Sequence, residues 1–260
     1  MNCRELIDIL QEQSPERYAC SWDNVGLLVG DYGKEVKTVY IALDATDEAI
    51  QEAIEAKADL LLTHHPMIFR GLKQVNSEDF IGRRVIALIK NDISCYAMHT
   101  NFDVKGMADL GAERMELQDC KILDVTCWME QEQAGIGKVG ELPCEMTVAD
   151  CAGKVKEAFG IELVKIFGRP DKRIKRAAIC PGSGKSVIGK AIDAGAQVLI
   201  TGDIDHHDGI DGAARGLAII DAGHYGVEKM FIPYMKEYLN ARTSGMQIIA
   251  QPVRQPFVYQ

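Results

Sequence analysis

Short runs of aliphatic and β-branched residues alternate along the first half of the chain with amphipathic stretches. The runs predict strands and the stretches between them predict helices. The predicted elements are strands over 39–43, 60–62 and 93–98 and helices over 47–57 and 83–91. Strands that alternate with helices are typical of β-α-β crossovers. We therefore expect an α/β fold whose sheets are mixed but largely parallel.

The second half of the chain repeats this pattern. Residues 36–63 align without a gap on residues 174–201 after a shift of 138 positions. Both copies end in a strand that is followed by a polar loop, and each of the six histidines follows a predicted strand. Ligands of open α/β sheets bind outside the carboxyl ends of the strands. We therefore predict two related α/β lobes that face each other across a shared cleft.

The boundary between the lobes is expected near residue 125. Residues 130–141 contain three glycines and are typical of a turn-rich connection. The predicted first lobe spans 1–125 and is joined by the C-terminal residues 226–260. The predicted second lobe spans 126–225.

Composition restricts the class of protein. The chain has 260 residues, a formal net charge of −9 and 47% hydrophobic residues, which are ordinary values for a soluble globular protein. The acidic balance disfavours nucleic-acid binding, and the basic run 172–176 is expected to be a solvated face. The eight cysteines form no C-x-x-C pair, and no apolar run approaches the ~20 residues of a membrane span. With no signal peptide pattern either, we expect reduced thiols, a cytoplasmic location and no membrane association.

Histidines and carboxylates at the strand ends predict a metal site. His64 and His65 follow one strand, Asp103 ends the next loop, and His224 and Glu228 are spaced to share a helix face. Such nitrogen and oxygen donors suit Zn²⁺, Mn²⁺, Fe²⁺, Co²⁺ or Ni²⁺, and a carboxylate is able to bridge two ions. Adjacent side chains of an extended backbone point to opposite sides. We therefore expect His64 and His65 to serve two ions, or one ion and a substrate.

Four other residues near strand ends are weaker candidates. His99 is either a proton-transfer or ligand-orienting group or a hydrogen-bonded core histidine, and His207 is a candidate acid or base. These two are the candidate catalytic residues, whereas His206 is given no role. Asp44 is expected to cap a helix, with the orientation of a ligand histidine as the alternative.

The segment Pro-Gly-Ser-Gly-Lys-Ser at 181–186 matches the end of a phosphate-binding loop. The full pattern requires a glycine five residues before Gly184, where the chain has Ile179. We therefore exclude a P-loop and keep anion binding by the glycines as an alternative.

Six segments form an ordered set of motifs. They are SWDNVGLLVGD at 21–31, LLLTHHP at 60–66, HTNFD at 99–103, GIGKVG at 135–140, TGD at 201–203 and DAGHYG-x-E at 221–228. Together they resemble the GTP cyclohydrolase 1 type 2 homologue family, also called the NIF-three-like family. The resemblance covers nearly the whole chain and departs from the family pattern at His206, where an aromatic residue is frequent.

The resemblance implies the short, two-lobe form of the family's α/β fold, with a dinuclear metal site in the cleft between the lobes, and a ring-shaped homohexamer. It implies that His64 and His224 bind one ion and that His65 and Asp103 bind the other. Glu228 would bridge the two ions.

Two functions from different classes follow. The first is a metal-dependent hydrolase resembling GTP cyclohydrolase 1 type 2, in which two divalent ions activate water against a small, purine nucleotide-like substrate. The second is a non-enzymatic metal-binding or regulatory hexameric assembly, which a site closed by protein ligands alone would favour. The sequence leaves the choice between them open.

Overall fold

The computed structural model describes residues 1–129, 132–258 and 260. Its α-helices are α1 (Cys3–Gln13), α2 (Asp47–Glu55), α3 (Phe80–Lys90), α4 (Thr100–Phe102), α5 (Ala108–Arg114), α6 (Val148–Phe159), α7 (Ile188–Asp193), α8 (His206–Ala214), α9 (His224–Glu228) and α10 (Phe231–Asn240). A π-helix spans Asp103–Met107, and short 3-10 helices span Glu16–Tyr18 and Lys185–Val187.

The strands are β1 (Gly26–Val29), β2 (Thr38–Ala42), β3 (Leu60–Thr63), β4 (Ser94–Ala97), β5 (Gln118–Met129), β6 (Glu132–Thr147), β7 (Lys165–Phe167), β8 (Arg173–Ser183), β9 (Val198–Gly202), β10 (Ala218–Asp221) and β11 (Gln247–Ala250). The helices and strands predicted in the first half are therefore confirmed as α2, α3 and β2 to β4, with ends that move by a few residues.

The chain divides into two compact units, and each contains one sheet. Unit 1 consists of Met1–Phe102 and Phe231–Arg254. Its sheet has the strand order β1-β4-β3-β2-β11, in which only the edge strand β1 is antiparallel to its neighbour. Side chains of β2, β3 and β4 pack with those of α2 and α3 in one apolar cluster. This sheet is largely parallel, as predicted.

Unit 2 consists of Asp103–Met230 and Gln255–Gln260. Its sheet has the order β5-β6-β8-β9-β10-β7. Strands β8, β9 and β10 are parallel, whereas β5, β6 and β7 pair antiparallel to their neighbours. This sheet is therefore mixed. The sequence pattern did not predict its long antiparallel pair β5–β6.

The strand register supports the predicted repeat. Strand β2 pairs parallel with β3 so that Val39 lies opposite Leu60, and β8 pairs parallel with β9 so that Ala177 lies opposite Val198. Each residue of the second pair stands 138 positions after its counterpart in the first. The two copies therefore share their strand pairing as well as their hydrophobic pattern.

The turn-rich connection predicted over 130–141 is wrong for 132–141, which lie in β6. The glycines that suggested turns allow close strand approach instead. A Cβ atom at Gly135 would clash with the carbonyl oxygen of Asp124 on β5. Residues 130 and 131 lie outside the described residues.

The two units also divide at different places from the lobe boundaries predicted near 125 and 226. The chain leaves unit 1 after Phe102 and returns to it at Phe231. Residues 103–125 belong to unit 2 because β5, which begins at Gln118, pairs with β6 along its length. Residues 255–260 also belong to unit 2.

The remaining global predictions concern thiols and membranes. All eight cysteines are free thiols, and half of them are buried. Among the helices of the described residues, none combines the length and the apolar character that a bilayer span requires.

Candidate metal centre

His64 and His65 lie immediately beyond the end of β3. Their backbone amides both donate to the carbonyl oxygen of Leu43, at 3.1 and 2.9 Å. Two successive amides that converge on one oxygen take the chain out of the extended conformation. The two ring centroids are consequently only 4.8 Å apart. The prediction that the rings point to opposite sides is therefore wrong, because it assumed that the strand continues through both residues.

Hydrogen bonds fix the tautomer of both rings. His64 Nδ1 lies 2.7 Å from the carbonyl oxygen of Met98, and His65 Nδ1 lies 2.7 Å from Asp44 Oδ1. A carbonyl or carboxylate oxygen only accepts, so each Nδ1 must donate. The lone pair of each ring is then on Nε2, in the arrangement that metal-binding histidines commonly have.

Asp44 therefore has the alternative role, the orientation of a histidine, and not the helix cap that was expected. The cap of α2 is Thr46, whose side chain accepts a hydrogen bond from the amide of Ala49. The sequence alone does not show which of Asp44 and Thr46 is the cap, because aspartate and threonine both cap helices well.

His99 completes a group of three imidazoles in unit 1. Its ring centroid lies 5.4 Å from that of His64 and 5.6 Å from that of His65. Its Nδ1 lies 2.8 Å from Asp23 Oδ1, on a side chain with no exposed surface. Burial alone would raise the pKa of Asp23, but hydrogen bonds from His99 and Thr100 lower it to about 2. His99 is thus oriented by a carboxylate that stays ionised at neutral pH.

In unit 2, His224 and Glu228 occupy one face of α9, as their spacing predicts. His224 Nε2 lies 3.0 Å from Glu228 Oε2, and His224 Nδ1 lies 2.9 Å from Asp203 Oδ2. The Glu228 side chain is 3% exposed. A buried carboxylate beside an imidazole is a nitrogen and oxygen donor pair of the type that binds divalent ions.

The backbone at Gly182 leaves space for this pair. Gly182 has a φ of +79°, and a Cβ atom there would overlap Glu228 Oε1. Strand β8 continues through Ser183, so the glycine lies in the strand and not in a loop around an anion. Gly182, one of the two glycines that resemble a phosphate loop, therefore has a steric role beside Glu228.

Asp103 is the first residue of the π-helix in unit 2. The charge of Asp103 acts on the buried thiol of Cys180. Burial raises the pKa of this thiol, and the negative charges of Asp103, Glu228 and Asp124 raise it further. Unit 2 therefore places both predicted carboxylate ligands where their charges act on the same buried thiol.

His206 and His207 lie in the first turn of α8 and are both exposed. Their ring centroids are 5.2 Å apart. The nearby cation Lys185 forms ion pairs with Asp205 and Asp208 at 3.0 and 2.6 Å. The catalytic role of His207 stays a prediction.

Comparison with known proteins identifies the family. The family model described as Duf34/NIF3, NGG1p interacting factor 3, matches residues 1–256. The chain belongs to the DUF34/NIF3 family. A relative from Clostridium perfringens, named GTP cyclohydrolase 1 type 2 homolog, is 36% identical over 263 residues, with all of both chains covered.

Solved structures agree with this assignment to the NIF3 family. A Bacillus cereus protein related to NIF3 has a TM-score of 0.92 at 26% identity, and the match covers 100% of this chain and 99% of that one. A Staphylococcus aureus hypothetical protein, SA1388, has a TM-score of 0.89 at 31% identity with the same coverage. The family resemblance that the sequence motifs predicted is confirmed.

Three positioning residues of this NIF3-family chain were missed by sequence reasoning, namely Asp23, Asp203 and Gly182. Asp23 and Asp203 stand inside recognised motifs, but the histidines that they orient are distant in sequence. In the fold, Asp203 stands out by its φ of +54°, which is unusual for a residue other than glycine and which the sequence does not reveal.

The residues present fit a divalent metal ion. His64, His65 and Glu228 are of the types that hold such ions, and His64 and Glu228 are buried. In unit 1, the hydrogen bonds at Nδ1 of His64 and His65 leave the Nε2 lone pair of each ring for a ligand bond. In unit 2, the Glu228 carboxylate lies beside the His224 imidazole. This chemistry excludes a thiolate site at these residues and favours a borderline ion such as Zn²⁺ or Fe²⁺.

Proposed function

We propose that the protein is a metal-dependent hydrolase that holds two divalent ions with donors from both units. The proposed ligands are His64, His65, Asp103, His224 and Glu228. His64 and His224 would bind one ion, His65 and Asp103 the other, and Glu228 would bridge. The observation that carries this proposal is the pair of fixed tautomers, which gives His64 and His65 a metal-binding nitrogen at Nε2.

The chain's own residues have separate tasks in this proposal. Divalent ions, when bound, would supply Lewis acidity. A Lewis acid lowers the pKa of a bound water to about 7 and polarises a substrate oxygen. Asp44, Asp203 and the Met98 carbonyl hold the ligand imidazoles in one tautomer. His99, oriented by Asp23, is close enough to the His64 and His65 rings to move a proton at the reacting centre.

The names of the relatives suggest the substrate class. Relatives of similar length are named GTP cyclohydrolase 1 type 2 homolog, so we propose a purine nucleotide-like substrate that is opened at the imidazole carbon of its guanine. A homohexameric assembly and a cytoplasmic location belong to the same proposal.

Formate release tests the enzymatic part. The purified protein, loaded in turn with Zn²⁺, Mn²⁺, Fe²⁺, Co²⁺ or Ni²⁺, is incubated with GTP, and formate is quantified. We expect turnover with at least one metal and a loss of at least about ten-fold in Asp103→Asn, because ligand removal weakens metal binding. Asp171→Asn is the matched control, since Asp171 is an exposed partner of Arg169; its rate should equal that of the wild type.

A different outcome favours the second function. If the protein retains metal but produces no formate with any of the five ions, and Asp103→Asn is equally silent, the cyclohydrolase proposal is wrong. The remaining function would be that of a non-enzymatic metal-binding assembly.

A further inference from the structure

Two large aromatic side chains of unit 1 are exposed next to the histidine group. Trp22 is 60% exposed and Phe69 is 48% exposed, although such side chains usually bury most of their surface. Their ring centroids are 5.9 Å apart with planes inclined at 53°. Both rings also contact the ring of His99, with centroid distances of 6.1 Å for Trp22 and 6.5 Å for Phe69. We call Trp22, Phe69 and His99 the aromatic platform.

Hydrogen bonds of neighbouring residues hold the platform in place. Asp23, next to Trp22, accepts from His99 and from the amide and hydroxyl of Thr100. Asn24 Nδ2 donates to the carbonyl oxygen of Ile68, the residue before Phe69, at 2.5 Å. The backbone segments that carry the two exposed rings are therefore tied together. A surface that is ordered before binding loses less entropy when a ligand binds.

The platform has the features of a site for a flat, polar ring. Aromatic side chains stack on the π-faces of heterocycles, and the imidazole of His99 adds a hydrogen-bonding nitrogen at the edge. His99 lies within 5.6 Å of the His64 and His65 rings. A ring bound on the platform would thus lie beside the imidazoles that the proposed function assigns to metal.

The residue that follows Phe69 along the chain indicates which substituent the ring carries. Arg70 follows Phe69 directly and is exposed. A guanidinium forms bidentate hydrogen bonds with phosphate. The combination favours a phosphorylated heterocycle over a neutral aromatic compound.

We propose that the aromatic platform binds the heteroaromatic ring of a purine nucleotide, with the ring stacked on Trp22 and flanked by Phe69. This inference rests on the proposed function for the position of the ring beside the metal ligands. It assigns substrate recognition to Trp22 and Phe69, which take no part in metal binding.

Tryptophan fluorescence tests the platform without any turnover. The chain contains two tryptophans, Trp22 and Trp128, and Trp128 is 72% exposed on β5 in unit 2. In the full-length Trp128→Phe variant, emission therefore comes from Trp22 alone. We expect GTP, added to the metal-free protein in EDTA, to quench this emission with a saturable curve. Guanosine should quench with weaker affinity, and inorganic triphosphate should not quench.

A second substitution shows whether the ring stacks where we propose. In the Trp128→Phe background, Phe69→Ala should weaken GTP binding about ten-fold, because one aromatic contact is lost. Phe80→Ala is the matched control, since Phe80 is also a half-exposed phenylalanine of unit 1 but contacts Arg84. Its Kd should be unchanged.

The outcomes separate this inference from the proposed hydrolase function. Saturable quenching that Phe69→Ala weakens supports the platform even if no formate is ever released. An absence of quenching by GTP and guanosine overturns the platform, even if formate assays show turnover. Equal Kd values for Phe69→Ala and Phe80→Ala overturn it as well.

Discussion

At the residue scale, the central feature is a set of histidines whose Nδ1 atoms all contact oxygen. The acceptors are a backbone carbonyl for His64 and the carboxylates of Asp44, Asp23 and Asp203 for the others. Such partners fix the tautomer and orientation of an imidazole and raise its basicity as a ligand. The metal affinity of the protein should therefore depend on residues that do not touch the ion.

The replacement Asp44→Asn tests this dependence at His65. An amide is a weaker acceptor than a carboxylate, so His65 is held less firmly in its metal-binding tautomer. We expect metal affinity to fall about 10- to 100-fold, measured by competition with a chromophoric chelator. Asp47→Asn is the control, because Asp47 is an exposed carboxylate that pairs with Arg84. Equal affinities in the two variants would show that Asp44 does not support the ligand.

Asp23 predicts a pH dependence of stability. Its pKa in the folded state is about 2, below the ordinary value of 3.8, so the folded state holds the carboxylate in its ionised form. The resulting stability is fully present above about pH 4 and is lost as the pH falls towards 2. We expect Asp23→Asn to lower the free energy of unfolding by about 2 kcal/mol at pH 7.

Urea unfolding at pH 7, 4 and 3 measures this effect. The difference between wild type and Asp23→Asn should shrink steadily as the pH falls below 4. A difference that is the same at all three values would contradict the account.

Position along the chain was sufficient to predict several features of the site. His224 and Glu228 share a helix face as their spacing requires, and His64 and His65 follow a buried strand. The partners of these residues could not be predicted, because Asp203 lies 21 residues before His224 and meets it only through tertiary folding.

At the element scale, small residues allow close approach near the carboxylate ligands. Gly182 on β8 faces Glu228, and a Cβ atom at Gly202 would lie 2.5 Å from the amide nitrogen of His224. Strands β8 and β9, which carry these two glycines, therefore approach helix α9 more closely than side chains at these positions would permit. The sequence shows Gly182 but not its neighbour Glu228, so the segment 181–186 suggested an anion loop.

The replacement Gly182→Ala tests this steric role. The methyl group would displace Glu228, and alanine is strained at a φ of +79°. We expect a destabilisation of about 1–3 kcal/mol in urea unfolding, together with reduced metal content. Gly189→Ala is the control, because a Cβ atom there meets nothing within 4 Å and alanine favours the helix. A wild-type metal content in Gly182→Ala would contradict the role.

At the scale of the whole molecule, each unit is built around a repeated strand-helix-strand element with the same strand register. The repeat was predictable because buried parallel strands have a strong hydrophobic pattern. The antiparallel strands β5 and β6 were not, because their glycines imitate turn residues and their pairing is defined only by the folded sheet. The proposed ligands differ between the units: unit 1 contains the imidazoles of His64 and His65, and unit 2 contains the carboxylates of Asp103 and Glu228 and the imidazole of His224.

The metal content of the purified protein tests the central claim most directly. Mass spectrometry of the elements in wild type, His65→Ala and Glu228→Ala, with the exposed His206→Ala as control, compares the proposed ligands with a residue outside the set. The account predicts two equivalents of divalent metal per chain in wild type and in His206→Ala. It predicts at most one equivalent in His65→Ala and no bound metal in Glu228→Ala, because Glu228 is the proposed bridge. A wild-type protein without metal, or ligand variants with an unchanged content, would contradict it.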